Sequence, residues 1–264
     1  MPSSRASLSL VVPAYNEADV IRQTVREAYA ALNEIADQFE ILLVDDGSRD
    51  DTADIVSRMV PAYPRLRLIR HRTNRGYGAA LRSGFEAARH PLVAFTDADC
   101  QFDLSDLRPM IARIVDAPIV VGYRARRQDP LRRKLYSRGY NLLVRALLGT
   151  GVRDCDCALK LFRHEVLADL LPTSRGFFVN AEMLTRARQH GHAVVEVPVT
   201  HRPRAGGESK VSVREVPRIL KILLGFWWRE VVWASRPVRA VGAVQYARLP
   251  ATQNSEARRA TATV

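Results

Sequence analysis

A chain of 264 residues, 47% apolar and 26% charged, can hold one large domain with a sizeable core and is too apolar for global disorder. Its 40 Lys and Arg against 28 Asp and Glu give a net charge of +12, which invites nucleic acid, anionic lipid or a phosphorylated substrate without choosing among them. No apolar stretch approaches the roughly 18 to 20 residues that span a bilayer, and residues 1–7 lack the apolar core of a signal peptide, so a cytosolic protein is expected.

In chain order, Leu8 to Ala14 reads as a strand that runs into Tyr15-Asn16-Glu17, and a helical pattern follows with Ile21, Val25, Ala28, Leu32 and Ile35 on one face. A second strand, Phe39 to Val44, ends in Asp45-Asp46-Gly47-Ser48 before another helix. A third apolar run, Leu92-Val93-Ala94-Phe95, precedes Asp97-Ala98-Asp99-Cys100-Gln101. In an open α/β sheet ligands collect outside the carboxyl ends of the strands, so these three loops should converge on one crevice. Two carboxylates two residues apart at the end of a buried strand are costly to desolvate unless a cation or ligand compensates them, and a hard divalent metal bound to a diphosphate is an apt partner. Taken alone, the D-x-D also reads as a strand-end turn in which Asp97 caps the next helix.

Further on, Ile119-Val120-Val121-Gly122-Tyr123-Arg124 reads as a strand delivering an arginine to the same crevice. A helix from Leu131 through Leu142, Leu143, Leu147 and Leu148 has its basic end, Arg132-Arg133-Lys134, nearest that crevice, although arginine stems also cover apolar surface on ordinary solvated helices. The three cysteines are an odd number, and Cys155 and Cys157 form only a C-x-C without a second pair, so all three read as reduced thiols in or near a pocket wall. His190-Gly191-His192 reads as a helix-ending surface turn. After the strand Ala193 to Val199, the loop Arg204-Ala205-Gly206-Gly207-Glu208-Ser209-Lys210 reads as a lid: glycines let it close over a bound diphosphate, Arg204 can grip oxygens bidentately, and Lys210 adds a point charge.

Beyond Lys210 the character becomes interfacial. Ser212-Val213-Arg214-Glu215 has the form of a capping box, with Pro217 as an alternative start, and the helix that follows puts Arg214, Arg218, Lys221 and Arg229 on one side. Ile219, Leu220, Leu223, Phe226, Trp227 and Val231 spread over the rest, which fits a helix lying in a membrane surface with Trp227, Trp228 and Trp233 at headgroup depth, or one docked on the domain's own sheet. The division expected is a catalytic domain over 1–211, an amphipathic surface helix over 212–234 and a disordered basic tail over 235–264. No helix-turn-helix, zinc-finger or aromatic RNA-binding signature accompanies the basic residues, which makes nucleic acid the minor reading.

Val12-Pro13-Ala14-Tyr15-Asn16-Glu17, Val44-Asp45-Asp46-Gly47-Ser48, Asn74-Arg75-Gly76-Tyr77-Gly78-Ala79-Ala80, Asp97-Ala98-Asp99-Cys100-Gln101 and Gly207-Glu208-Ser209-Lys210 occur in the order seen in glycosyltransferase family 2. Over about residues 8 to 232 the chain most closely resembles the dolichyl-phosphate (polyprenyl-phosphate) mannose synthases of that family. The resemblance implies an α/β fold of the GT-A type, Rossmann-like, with a mostly parallel central sheet flanked by helices. It implies an inverting transfer of a sugar, mannose from GDP-mannose, to a polyprenyl or dolichyl phosphate by an enzyme peripheral to the cytoplasmic face of the membrane, with a separate membrane subunit as a possible partner. It assigns Mg²⁺ or Mn²⁺ to Asp97, Asp99 and Gln101; the nucleotide to Pro13, Tyr15, Glu17, Val44, Asp46 and Ala98; donor phosphates to Arg204 and Lys210; and the lipid phosphate to Arg124, Arg133 and Ser137. The acceptor is a phosphate monoester whose second pKa is near 6, so it needs no general base. Glu182 sits near where related enzymes carry acidic residues facing acceptor or sugar, and Asn180 departs from the aspartate that many of them have. A UDP-sugar donor, another acceptor, and a non-catalytic nucleotide-binding subunit stay open as alternatives.

Overall fold

The computed structural model describes residues 6–125, 131–176, 178–203 and 216–233, with the backbone alone at 131–136 and 216–219. Among the described residues the elements are β1 (Ala6–Ala14), α1 (Ile21–Ile35), β2 (Ala36–Asp45), α2 (Thr52–Met59), β3 (Leu66–Arg70), α3 (Tyr77–Ala87) and β4 (Leu92–Phe95). They continue with α4 (Leu107–Arg113), β5 (Ile119–Arg124), α5 (Leu131–Leu148), β6 (Lys160–Arg163), α6 (Leu167–Leu170), α7 (Val179–Gln189), β7 (Val194–Val199) and α8 (Val216–Trp227). A π-helical stretch, Trp228–Trp233, extends α8.

The strands form one sheet in the order β3-β2-β1-β4-β6-β5-β7. Every neighbouring pair is parallel except those of β6, which runs antiparallel to both β4 and β5. Parallel strands covered on both faces read as continuous apolar runs, and β1 and β2 do: Leu10, Val11 and Ile41 to Val44 are all fully buried. Chain order reverses at β1, with β2 and β3 built outward on one side and β4 on the other, which is where an open α/β sheet places its ligand crevice.

The expected helix after the first strand is α1, and Ile21, Val25, Ala28, Leu32 and Ile35 are its buried face. β2 begins three residues earlier than the Phe39 expected: Ala36 turns directly from helix to extended backbone (φ −129°, ψ 143°), with no breaker residue to mark the change. α8 docks through Leu223 and Phe226, the latter edge-to-face on Phe178 at 5.1 Å. Of the three tryptophans expected at headgroup depth, Trp227 instead packs against the core, while Trp228 and Trp233 are 54% and 76% exposed. Ser212 to Glu215 and the tail from residue 235 lie outside the described residues. No helix among the described residues is long and apolar enough to cross a membrane.

Candidate active site

The loops after β1, β2 and β3 are laced together. Pro13 and Val44 are register partners at the ends of β1 and β2, and the Asp46 N–H donates to the Ala14 carbonyl at 2.8 Å. Asn16 takes a left-handed conformation (φ 52°), which lets its N–H reach Ser48 Oγ at 2.9 Å while its Oδ1 accepts from the Arg49 N–H, also at 2.9 Å. The Glu17 N–H is held by Thr52 Oγ1 at 2.8 Å, and Tyr15 is half-buried. Asp46, 3% exposed, has both oxygens engaged: Oδ1 meets the His71 ring at 2.7 Å and the Arg75 N–H at 2.9 Å, and Oδ2 accepts from the Gly76 N–H at 2.8 Å. Gly76 (φ 96°) then opens α3, and Gly78 lets the backbone of Ser174 and Arg175 lie directly against that helix start, where any Cβ would overlap the Ser174 carbonyl oxygen.

The D-x-D segment leaves β4 beside this loop cluster. Asp97 does not cap a helix: its Oδ1 accepts from the Tyr77 hydroxyl at 2.9 Å, and the capping role falls to Asp103, whose carboxylate accepts from the Ser105 N–H. Burial, and the Asp97 carboxylate beside it, push the Tyr77 phenol well above its ordinary range, so Tyr77 stays protonated as a donor. The Ala98 carbonyl is pinned by Thr24 Oγ1 of α1 at 2.6 Å. Asp99, only 5% exposed, accepts from the Gln101 N–H at 3.2 Å across Cys100, a non-glycine residue at φ 57°. Gln101 is held in turn by Arg202, whose N–H donates to its carbonyl at 2.7 Å and whose guanidinium grips Asp103 and Glu27 at 2.7 and 3.1 Å. The donor set of Asp97, Asp99 and Gln101 is all hard oxygen, which suits Mg²⁺ or Mn²⁺. No group of three His, Cys, Asp or Glu side chains among the described residues could cage an ion, so a metal here fits only with ligands completed by a second molecule, as phosphate oxygens complete many Mg²⁺ sites.

On the far side of β6 lies Arg124, the last residue of β5. Its Nε and Nη2 form a fork on Asp154, both at 2.7 Å; burial opposes the charge, but the Asp154 bonds outweigh it and hold the guanidinium ionised. Asp154 belongs to a loop that α5 and β6 secure together. Asn141, 4% exposed, accepts from the Cys155 N–H at 2.8 Å and donates to the Ser137 carbonyl at 2.8 Å. Lys160, fully buried, donates to the carbonyls of Cys155 and Cys157 and, at 2.8 Å, to Asn180 Oδ1. Burial lowers its pKa, and the three oxygens that hold it are neutral. Cys155 and Cys157 are buried free thiols, the latter pushed up to about 12 by burial and the nearby Asp154.

Glu182 lies in the first turn of α7. Fully buried, it accepts from the N–H groups of Thr173 and Ser174, each at 2.8 Å, and pairs with Arg186 at 2.8 Å; burial would raise its pKa, but these bonds hold it below the ordinary value. It anchors the segment that packs on Gly76 and Gly78. His190 and His192 form the expected surface turn at Gly191 (φ 75°), with His192 bonded to Asp169 at 2.8 Å. Ser137 is half-buried on α5; the side chain of Arg133, and Arg204 to Lys210 entirely, lie outside the described residues. Sequence reasoning missed Asp154, Asn141, Lys160, Tyr77 and Arg202. The one signal available for Asp154 is the invitation of an arginine at a strand end to a nearby carboxylate.

Residues 9–171 match the model of the family described as Glycosyl transferase family 2. The chain is 33% identical over 236 residues to glycosyltransferase AglD of Haloferax volcanii, an alignment that covers 85% of this chain and 38% of AglD. It is 31% identical over 224 residues to the undecaprenyl-phosphate 4-deoxy-4-formamido-L-arabinose transferase of Sodalis glossinidius, covering 83% of this chain and 67% of that protein. Among solved structures, the mannosyltransferase PcManGT of Pyrobaculum calidifontis, in complex with GDP-Man and Mn²⁺, superposes with a TM-score of 0.64 at 22% identity over 88% of this chain and 66% of that one. Glucosyl-3-phosphoglycerate synthase of Mycobacterium tuberculosis, in complex with Mn²⁺, UDP-glucose and phosphoglyceric acid, gives 0.61 at 20% identity over 85% and 79%. The fold thus has counterparts among solved transferases, and the chain belongs to glycosyltransferase family 2 with a GT-A-like fold.

Proposed function

We propose that this protein transfers a sugar, mannose from GDP-mannose, to a polyprenyl phosphate at a membrane surface. The observation that carries the reading is the separation of two charged walls on one sheet: Asp97, Asp99 and Gln101 follow β4, while Arg124 ends β5, with β6 between them. Two strand spacings amount to about 10 Å, room for a sugar between a donor diphosphate and an acceptor phosphate. The relative from Sodalis glossinidius, named for an undecaprenyl-phosphate acceptor, supports the lipid phosphate as acceptor class.

In this reading Asp97, Asp99 and Gln101 would hold Mg²⁺ or Mn²⁺ against the donor diphosphate. When bound, that ion neutralises the charge that develops on the leaving nucleoside diphosphate. Tyr77 and the Gln101 N–H fix the two carboxylates in advance, so they do not reorganise as charge develops. Pro13, Tyr15, Glu17, Val44 and the Ala98 backbone line the nucleotide side, and Asp46 acts there through the loop it braces. Arg204 and Lys210, outside the described residues, are assigned to the donor phosphates by the family resemblance. On the other wall Arg124, Arg133 and Ser137 orient an acceptor that is already largely dianionic at neutral pH, so a single in-line displacement with inversion needs no protein base. Asp154 holds the Arg124 fork in one orientation for this purpose.

A UDP-sugar donor is the second reading, favoured by the UDP-glucose complex of the mycobacterial structural neighbour. Both are tested by incubating the protein with GDP-mannose and UDP-sugars, a short polyprenyl phosphate and Mn²⁺, with and without EDTA, and reading products by mass spectrometry. Mannosyl-phosphopolyprenol and free GDP are expected, only with metal. Turnover of UDP-sugars alone would replace the mannose assignment, and no lipid-linked product from any donor would remove the acceptor assignment.

A further inference from the structure

Helix α1 holds the D-x-D segment from two points. Thr24 Oγ1 donates to the Ala98 carbonyl at 2.6 Å, and three residues further along the same face Glu27 bonds the guanidinium of Arg202 at 3.1 Å. Arg202 follows β7, in a short segment joined to the residues after Asp99. Phe102 and His201 form an antiparallel bridge there, with their rings edge-to-face at 5.6 Å, and the Arg202 N–H donates to the Gln101 carbonyl at 2.7 Å. The other arm of the guanidinium bonds Asp103 at 2.7 Å, and Asp103 is fixed in turn by the N–H and the hydroxyl of Ser105 at 3.0 and 2.7 Å. One arginine thus joins α1, the turn after the acidic loop and the chain leaving β7.

The chemistry of an amide decides what this does to Gln101. The amide nitrogen is a donor only, so a cation can be ligated by Oε1 alone. Gln101 Nε2 donates to the Arg202 carbonyl at 3.4 Å. The reversed amide would set Oε1 against that carbonyl, oxygen to oxygen, so the carbonyl selects the orientation that turns Oε1 to the branch away from it. The Gln101 N–H is also the donor to Asp99 Oδ1 at 3.2 Å, and a shift of this backbone would loosen that carboxylate as well.

We propose that Arg202 is a positioning residue for the metal: its clamp on Glu27 and Asp103 fixes the backbone that presents Gln101 Oε1 and steadies Asp99. The inference rests on the metal reading of Asp97, Asp99 and Gln101, and the arginine acts through Gln101, not on the ion itself. Groups that orient metal ligands from behind change metal affinity by roughly 10- to 100-fold when removed. The Arg202 side chain is 42% exposed, and ion pairs this open contribute little to stability, so an effect on the metal is separable from an effect on the fold.

The test titrates Mn²⁺ into the full chain saturated with GDP, and again with UDP, and follows the free ion by electron paramagnetic resonance. Arg202→Met should bind Mn²⁺ at least about ten-fold more weakly while keeping its melting temperature and its metal-free affinity for the nucleotide. Arg202→Lys, a point charge that reaches one carboxylate of the two, should fall between variant and wild type. In a Gln101→Ala background Arg202→Met should cost about three-fold or less, the share that passes through Asp99, because most of the effect runs through the side chain already removed. Should Arg202→Met melt early, Glu27→Gln, which loosens the clamp from the helix side, carries the same comparison. Equal Mn²⁺ affinity in Arg202→Met and wild type overturns the proposal, and so does an undiminished loss in the Gln101→Ala background. Asp99→Asn separates this inference from the reading beneath it. If it binds Mn²⁺ like the wild type, or if the wild type binds none with either nucleotide, the metal site itself falls; if Asp99→Asn loses the ion and Arg202→Met does not, only the role of Arg202 falls.

Discussion

Asp99 is almost fully buried, follows the last strand before the crevice, and has one oxygen fixed by the Gln101 N–H. Asp99→Asn preserves that acceptor and the side-chain shape while removing the charge a divalent ion needs. Removing one preorganised electrostatic contact of this kind costs roughly 10²-fold in turnover. The expected result is a loss of at least that size at an unchanged melting temperature, read by steady-state kinetics beside circular dichroism; near wild-type turnover would take Asp99 out of the metal site. That Asp97, Asp99 and Gln101 deserved attention was legible because charge at the end of an apolar run is expensive. Lys160 was hidden for the opposite reason. A lysine at a strand start reads as solvated, and only the fold shows that three neutral oxygens from two segments surround it. Nor does the sequence show that Glu182 of helix α7 is buried on two backbone N–H groups, since a carboxylate has the same letters in solvent and in a core.

Among the elements, β2 owes its place to Glu40 as well as to its apolar run. Glu40 accepts from Ser9 Oγ of β1 and the Arg89 N–H, each at 2.8 Å, and pairs with Arg67 of β3, so one carboxylate joins three strands and the turn before β4. Burial alone would raise its pKa, but the bonds from Arg67, Ser9 and Arg89 outweigh that and hold it below the ordinary value of 4.5. Below that value the unfolded chain binds more protons than the native one, so the stability Glu40 contributes is complete above about pH 5 and declines as the medium is acidified through its folded pKa. Glu40→Gln should therefore lower the melting temperature at pH 7 and flatten its decline between about pH 5 and pH 3. Parallel acid profiles for variant and wild type would show that the carboxylate is not ionised in the native state. The strands themselves were legible wherever the runs were continuous: β1, β2, β4 and β5 stand where Leu8–Ala14, Phe39–Val44, Leu92–Phe95 and Ile119–Arg124 put them. The antiparallel insertion of β6 between β4 and β5 was not, since pairing order is a property of the assembled sheet and four residues carry no signal for it.

For the whole molecule, the net charge of +12 and the outer face of the last helix point the same way. The sequence placed all three tryptophans on one surface because the segment is apolar on nearly every side and because a 100° wheel assumes α-helical turns. The π-helical stretch from Trp228 to Trp233 breaks that rule, and the domain claims Leu223, Phe226 and Trp227 for itself. What stays outside includes Leu224, Trp228 and Trp233, each at least 50% exposed, and Leu142, 65% exposed, on α5, the helix against which α8 packs. At the membrane surface we propose, exposed side chains of this kind would enter the headgroup region, while each Lys or Arg near an anionic surface adds about 1 kcal/mol that salt screens. Membrane binding should accordingly have two separable components. In co-flotation the wild type should prefer anionic to neutral vesicles and weaken, without vanishing, at high salt. A Trp228→Ala/Trp233→Ala double variant should lose the salt-resistant fraction and keep its melting temperature, because neither side chain belongs to the core; Trp227→Ala should instead lower the melting temperature. If the double variant floats like the wild type at high salt, the apolar contact with lipid is made elsewhere, and Leu142 on α5 is the next residue to replace.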